Sequence, residues 1–209
     1  MTRVHIVSAS LLAALVAGGA LGAAAQDTPA AAPPAAKTEA PAPATAPAAA
    51  MPARPDPALD ALRWFLGTWR CKGQASAIPT SPAHPTAADV HVATELGGFW
   101  IGIHYAERKT AANPHPNAGI VHWGYDGETK KLVAGSVGNV GAYAIQASTG
   151  WQGDTLVWEG PFHTGGATIQ GRDTFVRKGR AVVHTAELQI DGNWQKVDEE
   201  TCTRNAGKK

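Results

Sequence analysis

The sequence is poor in cysteine, lacks a long uninterrupted apolar run and carries no excess of charge of either sign. Two cysteines occur in 209 residues, and the formal net charge is +1. Acidic and basic residues are interspersed, so no basic surface of the kind that binds nucleic acid is expected. The chain also lacks Gly-x-Ser-x-Gly and a lysine-bearing phosphate loop, the signatures of a nucleophilic serine and of nucleotide binding. A binding protein is therefore favoured over an enzyme.

The N-terminal residues predict an exported protein. Residues 1–25 combine a basic start, a short apolar run and the small-residue end Ala23-Ala24-Ala25, which is the pattern of a cleaved secretory signal peptide. Glycines interrupt the apolar run, which is too short to span a bilayer, so we expect no integral membrane segment after cleavage. The predicted location is the periplasm or the extracellular medium.

Composition divides the rest of the chain into a linker, one domain and a tail. Residues 26–56 are almost entirely alanine, proline and threonine, and such a stretch buries too little apolar surface to fold. We expect a disordered, extended linker there. The folded domain is predicted over 57–204, and residues 205–209 form a C-terminal tail.

The domain is predicted to begin with a short helix and to continue entirely as strands. Leu59, Leu62 and Phe65 recur at helical spacing after Asp56 and Pro57, which suit the start of a helix. Beyond them, β-favouring runs alternate with turn residues. Strands are predicted over 68–77, 88–97, 99–108, 119–126, 131–137, 141–149, 154–160, 167–178, 181–190 and 194–204, with proline-rich loops over 78–87 and 109–118. The predicted fold is all-β, a closed antiparallel up-and-down barrel of about ten strands, because closure removes exposed strand edges.

Side-chain parity predicts how the first and last strands meet. Residues two apart in a strand share a face, so Trp69 and Cys71 share one, and Cys202 and Arg204 share another. If Cys71 lies opposite Cys202 in an antiparallel pair, Trp69 lies opposite Arg204, which places a guanidinium beside an indole. Since two cysteines of an exported domain most often pair, we predict a disulfide that joins these strands, with Trp69 and Arg204 closing the barrel.

Several short motifs resemble a known family. Phe65-Leu66-Gly67-Thr68-Trp69, followed by Glu95-Leu96-Gly97-Gly98-Phe99-Trp100, Gly124-Tyr125-Asp126 and Leu156-Val157-Trp158-Glu159-Gly160, is similar to a family of bacterial lipocalin-like (calycin) proteins of uncharacterised function. The resemblance covers most of 58–204. It implies a ten-stranded barrel with a small internal cavity, and it implies no agreed reaction.

A more distant resemblance concerns the nitrobindin-like haem barrels, which also open with Leu-Gly-Thr-Trp. That resemblance implies an axial histidine on the last strand. Here the last predicted strand, Trp194 to Arg204, contains no histidine. Haem ligation by the same geometry is therefore not expected.

One polar pair is predicted inside the barrel. His184 alternates with apolar residues on its strand, so its side chain is expected to face the interior. If the following hairpin has a three-residue loop that pairs residue 190 with residue 194, His184 falls opposite Glu200. A histidine beside a carboxylate in a barrel is either a core residue satisfied by its neighbour or an anchor for a ligand. Phe99 and Trp100 are expected near the wall of that site.

Three functions follow as hypotheses. The first is an exported barrel that binds a small, largely apolar molecule through His184, Glu200, Trp100 and Phe99. The second is a haem- or metal-binding barrel with His184 or His163 as ligand, acting on peroxide or nitrogen oxides. The third is a cell-envelope interaction module that uses the outer face of the barrel. No pair of histidines shows the close spacing of a dedicated zinc site, so His184 and His163 stand as single candidate ligands.

Overall fold

The computed structural model describes residues 54–78 and 82–205. The predicted signal peptide and all but the last residues of the predicted linker lie outside the described residues. Among the described residues, no helix is long and apolar enough to cross a membrane.

The domain begins with a 3₁₀ helix at Pro57–Phe65. The Asp56 side chain accepts a hydrogen bond from the backbone N–H of Ala58 at 2.9 Å, which caps the helix start. Leu59, Leu62 and Phe65 form its buried face, as their spacing predicts. The helix therefore acts as a lid of apolar side chains over one end of the strands that follow.

Ten antiparallel strands close into a barrel, which confirms the predicted fold class, and a further strand of two residues adds an eleventh to the sheet. The strands are β1 Gly67–Ala75, β2 His84–Glu95, β3 Trp100–Glu107, β4 Ala118–Asp126, β5 Lys131–Gly138, β6 Tyr143–Ser148, β7 Trp151–Gln152, β8 Thr155–Thr164, β9 Ala167–Lys178, β10 Ala181–Ile190 and β11 Asn193–Arg204. Consecutive strands pair with each other, except that β6 pairs with β8 and not with the two-residue β7, which pairs with β8 alone. Pairing of β1 with β11 completes the circle.

One strand begins earlier than the sequence indicates. β2 starts at His84, inside the stretch predicted as a proline-rich loop, and Pro85 pairs with Gln74 of β1. Proline lacks a backbone N–H, but near the start of a strand its loss interrupts little of the ladder. Proline content alone therefore overestimates the length of this loop.

The predicted pairing of the first and last strands is confirmed. Trp69 lies opposite Arg204 and Cys71 lies opposite Cys202, and the two cysteines form a disulfide. The Arg204 guanidinium carbon lies 4.7 Å from the centre of the Trp69 ring. A side-chain N–H of Arg204 also donates a hydrogen bond to the backbone carbonyl of Trp64, so one arginine joins β11, β1 and the helix.

The hairpin between β10 and β11 reaches the predicted pairing by another route. Ile190 pairs with Asn193, so the turn has two residues, Asp191 and Gly192, both with positive φ (51° and 78°). The three-residue loop predicted for this hairpin is therefore wrong. The register shifts between Ala186 and Glu187, where β11 contains one extra residue, and this β-bulge restores His184 to a position opposite Glu200.

The two ends of the barrel differ in content. We name the end covered by the 3₁₀ helix the closed end and the end that holds the β10–β11 turn the open end. The buried core lies toward the closed end, where aromatic rings pack on one another at centroid distances of 4.9 Å for Phe65–Trp123 and 5.1 Å for Trp123–Trp158. Trp158 is 1% exposed and Leu62 is fully buried, so the barrel's own side chains fill this end.

Candidate functional site

Toward the open end, the interior of the barrel is lined by polar side chains. Residue pairing places Glu200 opposite both His184 and Gly73, and Asp198 opposite Ala186. Asp173 lies opposite Ala186 on the other side of β10. We name His184, Asp173, Asp198 and Glu200 the lumen cluster. Alternation of side chains carries all four to the interior face that Cys71 and Cys202 also occupy.

His184 is held in a fixed orientation. Its Nε2 is hydrogen-bonded to Oδ1 of Asp173 at 2.9 Å. The Phe175 ring stacks on the imidazole at 4.6 Å between ring centres and 17° between planes. The side-chain amide of Gln146 donates to the other oxygen of Asp173 at 2.6 Å, so the carboxylate is itself fixed from β6.

The charges of His184 and Asp173 stabilise each other. Burial works against both charged forms, but the hydrogen bonds from His184 and Gln146 hold the pKa of Asp173 below its ordinary value. For His184, burial is likewise opposed and outweighed by the hydrogen bond and charge of Asp173, which raise the pKa of the imidazole. These two residues therefore form an ion pair inside the barrel.

Asp198 and Glu200 lack an equivalent basic partner. Burial and the neighbouring charge of Glu200 raise the pKa of Asp198 to about 7. Burial also raises the pKa of Glu200, against the opposing effect of the nearby Thr86 hydroxyl. Oδ1 of Asp198 is buried and accepts no hydrogen bond among the described residues. The lumen cluster thus holds three carboxylates and one imidazole, an excess of negative charge.

Solvent reaches the lumen cluster. The side chains of His184 and Asp173 are 21% and 31% exposed although they point to the interior, whereas Trp158 beside Asp173 is 1% exposed. The partial exposure of these interior side chains indicates that the side chains around the lumen cluster are packed less tightly than those of the aromatic core.

Hydrogen bonds at the open end hold the loop between β3 and β4 against the barrel. A carboxylate oxygen of Glu107 accepts hydrogen bonds from the side chain of Asn113 at 2.8 Å and from the backbone N–H of Asn117 at 2.7 Å. Glu107 therefore ties the loop between β3 and β4 to the barrel. Tyr105, two residues earlier on the same face, is half-buried, and burial raises the pKa of its phenol.

The structure brings together only part of the predicted site. His184 and Glu200 are neighbours, but Trp100 begins β3 near the closed end and Phe99 comes directly before it. Trp100 faces away from the interior, since it lies against Gly124 and near His122, on the opposite face of β3 from buried Ile101. His163 also lies outside, stacked on Tyr143 at 4.2 Å and hydrogen-bonded to Thr168.

Two residues of the site, Asp173 and Gln146, are not predicted from the sequence. Asp173 lies on β9, whose interior face carries Gly171, Phe175 and Arg177, so no apolar alternation marks the inward side. Gln146 reaches Asp173 from β6, a strand that is far away in sequence and is brought close only by barrel closure. Parity relative to Trp158, opposite Asp173, is the one signal that marks Asp173 as interior.

A second polar cluster lies on the outer face. The carboxylate of Glu95 is hydrogen-bonded to Nε2 of His104 at 3.0 Å and to Nε2 of His122 at 2.8 Å. The absence of a side chain at Gly102 makes room for this carboxylate, because a Cβ there would lie 2.1 Å from a Glu95 oxygen. The hydrogen bonds from His104 and His122 lower the pKa of Glu95. We name these three residues the outer cluster.

Comparison with known proteins supports the fold and places the chain in a family. A search of curated proteins found no match. Among solved structures, the crystal structure of Rv2717c from M. tuberculosis is similar, with a TM-score of 0.57, 16% sequence identity, and coverage of 72% of this chain and 99% of that chain. At this identity the likeness shows a shared barrel fold. Residues 54–204 match the family DUF1579, described as "Protein of unknown function", and the chain therefore belongs to that family.

Proposed function

We propose that this protein binds a small organic molecule in the open half of its barrel, with a positively charged group of the ligand against Asp198 and Glu200. The observation that carries the proposal is an interior, solvent-reached cluster of three carboxylates with a single imidazole. His184 already neutralises Asp173, so the charge left over is that of Asp198 and Glu200.

A cationic ligand fits the energetics of this cluster. Asp198 and Glu200 ionise reluctantly, because they are buried beside each other. An ammonium group between them would supply the missing opposite charge and hydrogen-bond donors in a setting where water screens poorly. The apolar part of such a ligand would contact interior side chains near the cluster, among them Phe175 and Tyr105. The largely apolar ligand predicted from the sequence thus becomes an amphipathic one with a cationic end.

The charge of the cluster also bears on the haem hypothesis. Haem carries two propionates, and carboxylates that surround His184 would repel them. The Nε2 atom of His184 is already engaged by Asp173. These features favour a small cation over haem at this histidine.

The disulfide supports export. Cys71 and Cys202 are paired, and disulfides persist mainly in oxidising compartments. We therefore propose that the protein works outside the cytoplasm, where small amines and related molecules would reach the open end of the barrel.

Calorimetric titration with a matched ligand series tests the proposal. Hexylamine, hexanol and hexanoate differ only in the polar group, and the amine is expected to bind most tightly at pH 8 in buffer that contains a chelator. Glu200→Gln should weaken amine binding about ten-fold or more, because one desolvated charge pair is lost. Glu199→Gln is the control, because Glu199 is next to Glu200 in the same strand but is exposed and paired with Lys196, three residues earlier. Equal binding of all three ligands, or equal loss in both variants, would contradict the proposal.

A further inference from the structure

We propose that His184, Asp198 and Glu200 form a binding site for a divalent transition-metal cation of the Zn²⁺ type. The inference goes beyond the organic ligand proposed above. It shares the lumen cluster with that proposal but needs no organic molecule. The two can fail separately, since amine binding is measured in chelator and metal binding is measured without ligand.

The three side chains already have nearly the spacing that a shared ion requires. A ring nitrogen of His184 and one carboxylate oxygen from each of Asp198 and Glu200 all lie within 4.8 Å of one another. Zinc binds nitrogen and oxygen ligands at about 2.0–2.2 Å, so two ligand atoms of one ion lie at most about 4.4 Å apart. Small side-chain rotations would therefore bring all three atoms to a common ion.

The surroundings of His184 match those of metal-bound histidines. In such sites the second ring nitrogen donates to a carboxylate, which fixes the ring and its tautomer. Here Nε2 is bonded to Asp173, Gln146 holds that carboxylate, and Phe175 stacks on the ring. Nδ1 is then the nitrogen that remains for an ion, and binding of the ion would release the Nδ1 proton to solvent while Nε2 keeps its proton and its hydrogen bond to Asp173. Asp173 is assigned as a positioning residue that does not itself touch the metal.

One buried oxygen atom points to a missing partner. Oδ1 of Asp198 is buried and accepts no hydrogen bond among the described residues. The Thr86 hydroxyl, in a residue that is 4% exposed, interacts with the Glu200 carboxyl across Gly73 and lowers its pKa, so it lies beside the proposed site. Because buried polar atoms are normally satisfied, the Asp198 oxygen indicates a group that binds here.

The ligand set selects the class of cation. One imidazole with two carboxylates is typical of zinc and related first-row ions, whereas Mg²⁺ and Ca²⁺ prefer oxygen ligands alone. Three protein ligands would leave at least one coordination position for water or a bound molecule, and the 21% exposure of the His184 side chain indicates that water can reach these residues.

Two other groups of residues are weaker candidates. Cys71, Glu200 and Cys202 also lie within 4.8 Å of one another, but both sulfurs belong to the disulfide, so no thiolate is available. In the outer cluster, both histidines already share the Glu95 carboxylate. The outer cluster therefore serves as the internal control for binding of metal to exposed histidines.

The test uses the purified full chain, stripped with a chelator that is then removed by dialysis. Zn²⁺ is titrated calorimetrically, and Co²⁺ is titrated by its visible absorption, which reports coordination by nitrogen and oxygen ligands. One ion per chain is expected. His184→Gln and Glu200→Gln should each weaken binding at least about 100-fold, Asp173→Asn should weaken it about 10–100-fold, and Glu95→Gln should leave it unchanged. Thermal unfolding of each variant checks that the barrel is folded.

The outcomes separate the site from its alternatives. Loss of one-to-one binding in Glu200→Gln, with binding retained in Glu95→Gln, supports the assignment even if His184→Gln proves unstable. Binding that is lost in Glu95→Gln and kept in Glu200→Gln moves the metal to the outer cluster and overturns the proposal. Absence of any Co²⁺ spectrum in the wild-type chain at excess metal overturns it as well.

Discussion

The closed and open ends of this barrel are built from the same strands but satisfy opposite requirements. At the closed end, the 3₁₀ helix and stacked aromatic rings exclude solvent, and Leu62 is fully buried. At the open end, the interior holds carboxylates whose charge is only partly neutralised, and solvent reaches them. The difference indicates that one end supplies the stability of the fold, whereas the other, where we propose that a ligand binds, holds unneutralised charge at a cost in stability.

Arginine illustrates the contrast. At the closed end, Arg204 and Arg177 lie over indole rings, with Arg177 at 3.5 Å from the Trp151 ring, so cationic groups cover the aromatic core. Among the described residues of the lumen cluster, the one basic group is His184, which Asp173 already occupies. The charge imbalance is therefore local to the open end, as expected where a cation from solution is to be bound.

Removal of the disulfide is expected to have the largest effect on stability. The bridge closes a loop of 131 residues, and its loss in Cys71→Ser/Cys202→Ser should lower the free energy of unfolding by about 5 kcal/mol in the chain-entropy account. Urea unfolding of the double variant and of the reduced wild type should agree. A double variant as stable as the oxidised wild type would contradict this account.

Truncation of an apolar side chain should lower the free energy of unfolding more at the closed end than at the open end. Leu62→Ala removes a fully buried side chain at the closed end and should cost about 3 kcal/mol. Leu188→Ala removes a half-buried side chain near the open end, and should cost less than about 1.5 kcal/mol. Urea unfolding compares the two at one pH. Equal losses of unfolding free energy in the two variants would contradict the conclusion that the closed end is more tightly packed than the open end.

Arg204, which joins β11 to the helix, should contribute less to the free energy of unfolding than the disulfide or Leu62 does. Arg204→Met keeps an apolar stem but removes the contact with the Trp69 ring and the hydrogen bond to the Trp64 carbonyl. A loss of about 1–2 kcal/mol is expected. Amine and metal binding at the open end should be unchanged, and calorimetry on this variant checks that. A change in binding without a change in stability would show that the ends are coupled.

Sequence patterns predicted the fold further than they predicted the site. Closure makes the first and last strands neighbours, the expected disulfide places Cys71 opposite Cys202, and Trp69 then falls opposite Arg204 in the antiparallel register. The His184–Glu200 pair follows in the sequence from a three-residue hairpin loop, whereas in the structure a two-residue turn and a bulge in β11 together give the same pair. Bulges leave no clear mark in a sequence, so register near a turn is less predictable than strand order.

Residues of the site that meet only because the barrel closes could not be predicted from the sequence. Asp173 and Gln146 meet because β6 pairs with β8, a contact that no local pattern encodes. The aromatic character of Trp100 favours a place in the ligand site, but the mixed pattern of β3 does not decide which way this side chain faces, and it lies outside the barrel. Alternation predicts which side chains face the interior when that face of the strand is apolar. At the open end the interior face is polar, so alternation does not mark it.

The stability of Asp198→Asn tests most directly the claim that the open end sacrifices stability for binding. The folded pKa of about 7 lies above the ordinary 3.8, so the folded state binds this proton more tightly than the unfolded chain does. The contribution to stability is therefore full below about pH 4 and is lost as pH rises through 7. Urea unfolding in chelator should find Asp198→Asn more stable than wild type by about 2–4 kcal/mol at pH 8, with the gain reduced near pH 4. A variant less stable than wild type at pH 8 would contradict the account.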